Sequence, residues 1–189
     1  VTKFYTSEYG EILLSRFIME HNADSAISAI VRIVGLDNML NRYGQTFCSA
    51  VLEEIADVIR RNTPENYVVY RGGMDEFVMI TTLTSRDEAR TFFRKLIDEI
   101  AGIYNNESLK LESVVGAYLR LQDEPMSASK LKTRFASAAA YKFRDEFGGI
   151  VFADEVTNKA DFVQNFKNVG PHKYMPFGNV KLEEVTDII

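Results

Sequence analysis

The stretch that decides the fold is Tyr70-Arg71-Gly72-Gly73-Met74-Asp75-Glu76-Phe77, in which two glycines and two acids separate two apolar runs. The runs at 67–70 and 77–80 are β-prone, and a short glycine-containing connection between such runs predicts a β-hairpin. Glycine tolerates positive φ and lets a ligand approach the backbone, and Asp75 and Glu76 offer oxygen ligands suited to Mg²⁺. A polar tip with two acids is equally typical of a solvated turn, so the rest of the chain must distinguish the two.

Composition places the chain among ordinary globular proteins, with 189 residues, 46% hydrophobic and 26% charged. A net charge of −5 argues against a protein that coats DNA or an anionic membrane, but it allows one phosphorylated ligand to bind locally. The single Cys48 excludes an intrachain disulfide and fits a reducing compartment. No apolar run approaches the roughly 20 residues of a membrane span, and no signal peptide pattern opens the chain. We therefore expect a cytoplasmic segment without membrane contact, and its start at Val1 suggests excision from a longer protein.

The periodicity of apolar residues predicts helices alternating with strands. Helices are expected at 9–19, 47–61, 127–147 and after Ser85, whose Glu88 three residues later makes a capping box. Strands are expected at 26–34, in the two hairpin arms, at 109–121 and at 150–152. This order predicts an α/β fold of the α+β palm type, with a ferredoxin-like mixed central sheet of about five strands flanked by helices.

Three segments follow from this pattern. Residues 1–23 are expected to form a lead-in helix, residues 24–154 the sheet domain, and residues 155–189 a C-terminal strap or linker. The last segment contains two of the four prolines. It also has enough apolar residues to favour packing on the domain or on a partner over disorder.

The hairpin and its surroundings resemble a GGDEF domain, the palm-type domain of bacterial diguanylate cyclases, over residues 24–154. The residues that carry the resemblance are Arg71 with Gly73 to Phe77, the segment from Leu36 to Tyr43-Gly44, the Val115-Gly116 strand, and the Ala136 to Tyr141 run with Arg144. Their order and spacing agree together, which a lone motif match would not establish.

The resemblance implies a metal site that this chain has lost in part. In active members, two GTP molecules on facing subunits react with the help of two Mg²⁺ ions to form cyclic di-GMP. The family has a metal-binding Asp in the first strand and an acid in the hairpin. Here the hairpin acids remain as Asp75 and Glu76, but the first-strand position is Arg32. A guanidinium cannot ligate Mg²⁺ and repels it, so we expect Arg32 to pair bidentately with the two acids and replace the metal. The alternative is that Arg32 merely extends to solvent.

The guanine-reading positions also depart from the family. Where the family has an Asn and an Asp, this chain has Leu40 and Ser49. Each lost hydrogen-bond partner costs on the order of 1 to 3 kcal/mol. Met74 replaces the second glycine of the signature, and the product-inhibition motif Arg-x-x-Asp is missing at 64–67.

The remaining nucleotide-binding positions are Gly73, Lys142 and Arg144, although two basic residues near a helix C-terminus are equally explained by the helix dipole. His21 and His172 have no partners at metal or triad spacing, and Cys48 is expected to pack as a small apolar residue.

The sequence thus predicts a degenerate GGDEF domain that acts as a regulatory or interaction module. Its expected partners are the other domains of a larger bacterial signalling protein or a second copy, and no resident cofactor and no DNA are expected. One alternative is a domain that binds GTP or another nucleotide, weakly active with Mg²⁺ held by Asp75 and Glu76. Another is a purely structural dimerisation domain that uses the lead-in helix and the tail.

Overall fold

The structure is a computed structural model. It describes residues 4–20, 26–106, 109–120, 127, 130, 149–155, 166–170 and 173–176. The chain divides into two compact units, Val1–Ala153 and Asp154–Ile189. Most of the helix predicted at 127–147 lies outside the described residues, as do Lys142, Arg144, His21 and His172.

The elements follow the alternating order that the sequence predicts. They are α1 (Ser7–Glu20), β1 (Ala26–Val34), α2 (Leu36–Asn62), β2 (Val68–Arg71), β3 (Glu76–Ile80), α3 (Arg86–Ile103), β4 (Asn105–Asn106), β5 (Leu109–Lys110), β6 (Glu112–Arg120), β7 (Ile150–Phe152), β8 (Phe166–Gly170) and β9 (Lys173–Pro176). Five strands form one sheet in the order β2-β3-β1-β6-β7. All neighbours are antiparallel except β6 and β7. The predicted mixed sheet with flanking helices is confirmed.

The sheet is buried on both faces because β1, at its centre, is apolar on both faces. Ile27, Ala29, Val31 and Ile33 join a large cluster with residues of α2 and α3. Ile30 faces the other way and joins a smaller cluster with Leu14 and Ile18 of α1. This alternation has the period of two that a strand requires, and it leaves Arg32 on the α1 face of the sheet.

The segment before α1 continues onto the sheet. Tyr5 forms a parallel bridge with Tyr70 of β2, and the backbone N–H of Arg71 donates to the carbonyl of Tyr5 at 3.1 Å. The ring of Phe4 meets the ring of Phe77 edge-on, with centroids 5.8 Å apart. Phe4 and Tyr5 therefore lie beside the hairpin.

Helix α2 begins earlier than the predicted 47–61. It starts at Leu36 after Gly35, whose φ of 76° is left-handed, and Gly44 interrupts it with φ 81° and ψ 171°. Only glycine adopts such angles readily, so the chain bends here between a short first segment and the long second one.

Ser85 caps the N-terminus of α3, as one half of the predicted capping box requires, since its side chain accepts a hydrogen bond from the backbone N–H of Glu88 at 3.5 Å. The predicted strand at 109–121 is interrupted instead of continuous. Its first residues form β5, which pairs with β4 in a separate small sheet, and β6 begins after the buried Leu111.

In the second unit, β8 and β9 form an antiparallel hairpin with an irregularity between Asn168 and Gly170. The prediction of a strap or linker had not included this hairpin. None of the helices among the described residues has the length and apolar character needed to cross a bilayer.

Candidate functional site

The candidate site lies where β1 ends and β3 begins. Arg32 is directly opposite Glu76 in the antiparallel register, and the backbone N–H of Ile33 donates to the carbonyl of Asp75 at 2.8 Å. Residues opposite each other in such a pair point to the same face of the sheet. The register therefore brings Arg32 and Glu76 together.

Arg32 and Glu76 form an ion pair. Arg32 Nε donates to Glu76 Oε1 at 2.9 Å, and Arg32 Nη2 donates to the same oxygen. The two side chains are 30% and 20% exposed, so the pair is partly shielded from water. The expected bidentate pairing with both acids differs from this geometry, because two N–H groups converge on one oxygen of one acid.

Asp75 lies next to a different cation, Arg71, which the sequence had suggested only as a motif anchor. Arg71 Nη2 donates to the carbonyl of Met74, and its guanidinium lies 4.6 Å from the ring centroid of Phe77. Burial lowers the pKa of Arg71, and the carboxylate of Asp75 opposes that shift. Of the two hairpin acids, Glu76 pairs with Arg32, while Asp75 acts on Arg71 through its charge.

Gly72 in the hairpin is required by close approach and not by the positive φ that the sequence suggested. The glycines with positive φ in the described residues are Gly35, Gly44 and Gly149. A Cβ on Gly72 would lie 2.9 Å from a methyl of Val78, and one on Gly73 would lie 3.6 Å from Glu76 Oε2. Glycine at position 72 therefore leaves room for the Val78 side chain, whereas a Cβ at position 73 would make only an ordinary contact with the Glu76 carboxylate.

The residues present do not fit the Mg²⁺ ions that the family implies. The side chain that stands opposite Glu76 is the guanidinium of Arg32, which has no lone pair to offer a metal. Across the part of the chain that the structure describes, no three His, Cys, Asp or Glu side chains lie close enough to hold a metal ion.

The two guanine-reading positions hold residues of other chemistry. Leu40 packs against the large core cluster, and Ser49 is exposed on α2. Cys48 is buried in the same cluster, as expected for a small apolar residue. Met74 at the hairpin tip is 54% exposed. At the first of the two positions, the side chain of Leu40 has no polar atom with which to hydrogen-bond a base edge.

Comparison with known proteins agrees with this architecture. The family model described as "Diguanylate cyclase, GGDEF domain" matches residues 3–146 of the 189. The chain belongs to the GGDEF family. No curated protein gives a significant match over the sequence.

Solved GGDEF structures match the fold at low identity. The GGDEF domain of DgcB from Caulobacter crescentus in complex with c-di-GMP has a TM-score of 0.69 at 18% identity, covering 80% of this chain and 92% of that one. The GGDEF domain of YfiN from Pseudomonas aeruginosa has a TM-score of 0.69 at 20% identity, covering 80% and 98%. Diguanylate cyclase SiaD in complex with its activator SiaC, also from P. aeruginosa, has a TM-score of 0.63 at 20% identity, covering 80% and 59%. At such identities the matches establish the fold alone.

Proposed function

We propose that this GGDEF domain does not synthesise cyclic di-GMP and instead acts as a regulatory or interaction module of a larger bacterial signalling protein. The observation that carries the proposal is the ion pair between Arg32 and Glu76. It puts a fixed positive charge at the first-strand position where the family has a metal-binding carboxylate.

Electrostatics makes this substitution severe. At an effective dielectric constant of 20, two unit charges 4 Å apart interact by about 4 kcal/mol, so a divalent cation beside Arg32 meets strong repulsion. Phosphoryl transfer depends on metals and positioning more than on covalent chemistry by the protein. Loss of the metal therefore removes most of what the domain would contribute to the reaction.

The direct test is to incubate the protein with GTP and Mg²⁺ and to separate the products by chromatography. We expect neither pppGpG nor cyclic di-GMP, while an active diguanylate cyclase under identical conditions forms both. Clear turnover by the wild-type chain would contradict the proposal.

A pair of variants isolates the role of Arg32. Arg32→Asp restores the family's carboxylate and should introduce Mg²⁺ binding that calorimetry detects. Arg32→Ala removes the same ion pair without adding a ligand, so it should not bind Mg²⁺. Equal Mg²⁺ binding by wild type and both variants would show that Arg32 does not exclude the metal.

Nucleotide binding without turnover is the second candidate. It is favoured by Asp75, which is not an acceptor in the hydrogen bonds from Arg32 to Glu76, and by Gly73, which is exposed in the same hairpin. A thermal-shift panel of nucleotides with and without Mg²⁺ tests it, because a ligand at 100 times its dissociation constant adds about 2.7 kcal/mol of stability. A shift would support binding, and no shift for any nucleotide would leave the interaction role.

The proposed partners are the other domains of the same protein, or a regulator that contacts this domain. SiaD with its activator SiaC gives a precedent for a regulator bound to a GGDEF relative. The single cysteine and the acidic net charge suit a cytoplasmic domain that binds neither DNA nor membranes.

A further inference from the structure

Helix α1 is apolar on two opposite faces. Its inner face places Gly10, Leu14 and Ile18 against the sheet, where they are buried. Its outer face carries Ile12 and Met19, which are 62% and 74% exposed. A single exposed apolar side chain is ordinary, but a helix that is apolar on both faces usually has a second partner.

The exposed apolar residues of the outer face continue toward the start of the helix. Tyr9 and Tyr5 are 49% and 52% exposed, and their rings lie 5.0 Å apart. At 3.6 residues per turn, Tyr9, Ile12 and Met19 lie along one stripe opposite the buried face. A groove on this stripe is lined by Glu8, Ile12, Ser15, Arg16 and Met19 together with Glu11.

The charges that flank the stripe identify what can cover it. Glu8 lies four residues before Ile12 and Arg16 lies four residues after it. Consider an antiparallel pair of α1 helices with Ile12 at the two-fold axis. Glu8 of each copy is then level with Arg16 of the other, which gives one such pair on each side of the axis. A parallel pair would instead place Arg16 level with Arg16 and Glu8 level with Glu8, which is repulsive.

The same register matches the apolar residues. Met19 of one copy comes level with the Tyr5 and Tyr9 rings of the other, and thioether–aromatic contacts of this kind are favourable. Arg16 already pairs with Glu20 of its own helix at 2.6 Å, and with its side chain 69% exposed it has room for a second acid. The outer face of α1 is therefore self-complementary in charge and in the order of its apolar residues.

We propose that α1 binds α1 of a second copy of this chain in an antiparallel arrangement with Ile12 at the two-fold axis. Such an isologous contact closes after two copies. One four-turn helix face buries less than a standard interface, which is about 1,600 Å² in total, so we expect a dissociation constant in the micromolar to millimolar range. The proposal does not depend on whether the hairpin site binds metal or nucleotide.

Sedimentation equilibrium of the 189-residue chain over a concentration series tests the dimer. Wild type should shift from monomer to dimer, and Ile12→Asp should remain monomeric at every concentration. Met74→Asp makes the same chemical change at an exposed apolar residue outside α1 and should associate like wild type. A monomeric wild type, or an unchanged Ile12→Asp, would overturn the proposal.

Charge reversal tests the orientation. Glu8→Arg places two arginines at each end of the antiparallel pair and should weaken association at least several-fold at low salt, whereas the double variant Glu8→Arg/Arg16→Glu should restore it. A parallel pair predicts no change for Glu8→Arg, because one like-charge pair replaces another. Circular dichroism and thermal unfolding establish that each variant is folded, and failure of the double variant to recover would reject the antiparallel arrangement.

Discussion

Arg32 shows how one side chain alters the chemistry of a hairpin whose acids are intact. Asp75 and Glu76 retain the family's carboxylates, yet Glu76 accepts two hydrogen bonds from a guanidinium. Hydrogen bonds to charged groups contribute more than neutral ones, but partial exposure of the pair reduces the gain. The contribution of this ion pair to stability is therefore best measured as a coupling free energy between the two side chains.

We predict a coupling free energy of about 1 kcal/mol between Arg32 and Glu76 in a double-mutant cycle of Arg32→Met and Glu76→Gln, measured by urea unfolding. The matched control is the pair of Arg60 and Asp57, whose side chains are 42% and 67% exposed. That control should give about 0.3 to 0.5 kcal/mol. A coupling for Arg32 and Glu76 no larger than the control would argue against a specific pair.

Tyr70 is a second residue whose environment makes a prediction. Its side chain is fully buried, and its hydroxyl has no hydrogen-bond partner among the described residues. A buried donor without a partner costs about 1 to 3 kcal/mol. Tyr70→Phe should therefore leave the free energy of unfolding unchanged or raise it at neutral pH.

The same residue predicts a pH dependence. Burial raises the pKa of Tyr70, and the nearby Glu11 adds to that shift. Above about pH 10 the unfolded tyrosine ionises while the folded one stays protonated, so the free energy of unfolding falls as the pH rises. Tyr70→Phe should flatten this fall in alkaline urea titrations, and Tyr9→Phe removes a hydroxyl at an exposed position as the control. If the free energy of unfolding of Tyr70→Phe fell with rising pH as steeply as that of wild type, the pH dependence would not come from Tyr70.

At the scale of elements, the close contact of α1 with β2 depends on a glycine. A Cβ on Gly10 would lie 2.1 Å from ring atoms of Tyr70. The atoms that it meets include the Cβ and Cγ of that side chain, which cannot move without shifting the strand. The helix approaches the sheet this closely only because residue 10 has no side chain.

We predict that Gly10→Ala destabilises the protein by about 1 to 3 kcal/mol through overpacking. Gly102→Ala is the matched control, because a Cβ there meets no atom within 4 Å and the residue lies in α3. That change should stabilise by about 0.5 to 1 kcal/mol through helix propensity. Thermal unfolding of both variants measures the difference, and equal effects would mean that α1 can shift outward.

Local patterns predicted those elements whose signals are themselves local. Neighbouring residues alone were enough to predict three features: the β-branched run of β1, the cap of α3 and the apolar arms of the hairpin. The first segment of α2 was missed because it is short and is bounded by Gly35 and Gly44, whose dihedral angles are not visible in a sequence. The reason for Gly72 was also hidden, since the methyl that it accommodates belongs to Val78 on the next strand.

At the scale of the site, the sequence identified Arg32 as the residue that matters but not its geometry. The register in which β1 pairs with β3 decides which acid Arg32 contacts. Of the two hairpin acids, Glu76 is the one that stands opposite Arg32. The contacts of Arg71 with the Met74 carbonyl and the Phe77 ring were missed because they depend on how the hairpin turn closes.

At the scale of the whole molecule, the two units differ in how they are stabilised. Both hydrophobic clusters of the described residues and all five strands of the main sheet lie within Val1–Ala153. The second unit contains the β8–β9 hairpin, and an isolated two-stranded hairpin has marginal stability. The main sheet should therefore not require the second unit in order to fold.

We predict that a chain ending at Asp154 stays soluble and unfolds cooperatively, with a midpoint of urea unfolding close to that of the full chain. The physical reason is that both hydrophobic clusters found among the described residues lie within Val1–Ala153. Circular dichroism and urea titration of both chains make the comparison. An unfolded or aggregated shortened chain would show that the tail belongs to the core.

The bridge between Tyr5 and Tyr70 has a consequence for solubility. β2 is an outermost strand of the sheet, and its free backbone groups are a template for strand addition by other molecules. The short N-terminal segment occupies part of that template, because Arg71 donates to the carbonyl of Tyr5. Removing the residues before α1 would uncover an apolar strand, and chains shortened in this way should associate edge to edge and precipitate.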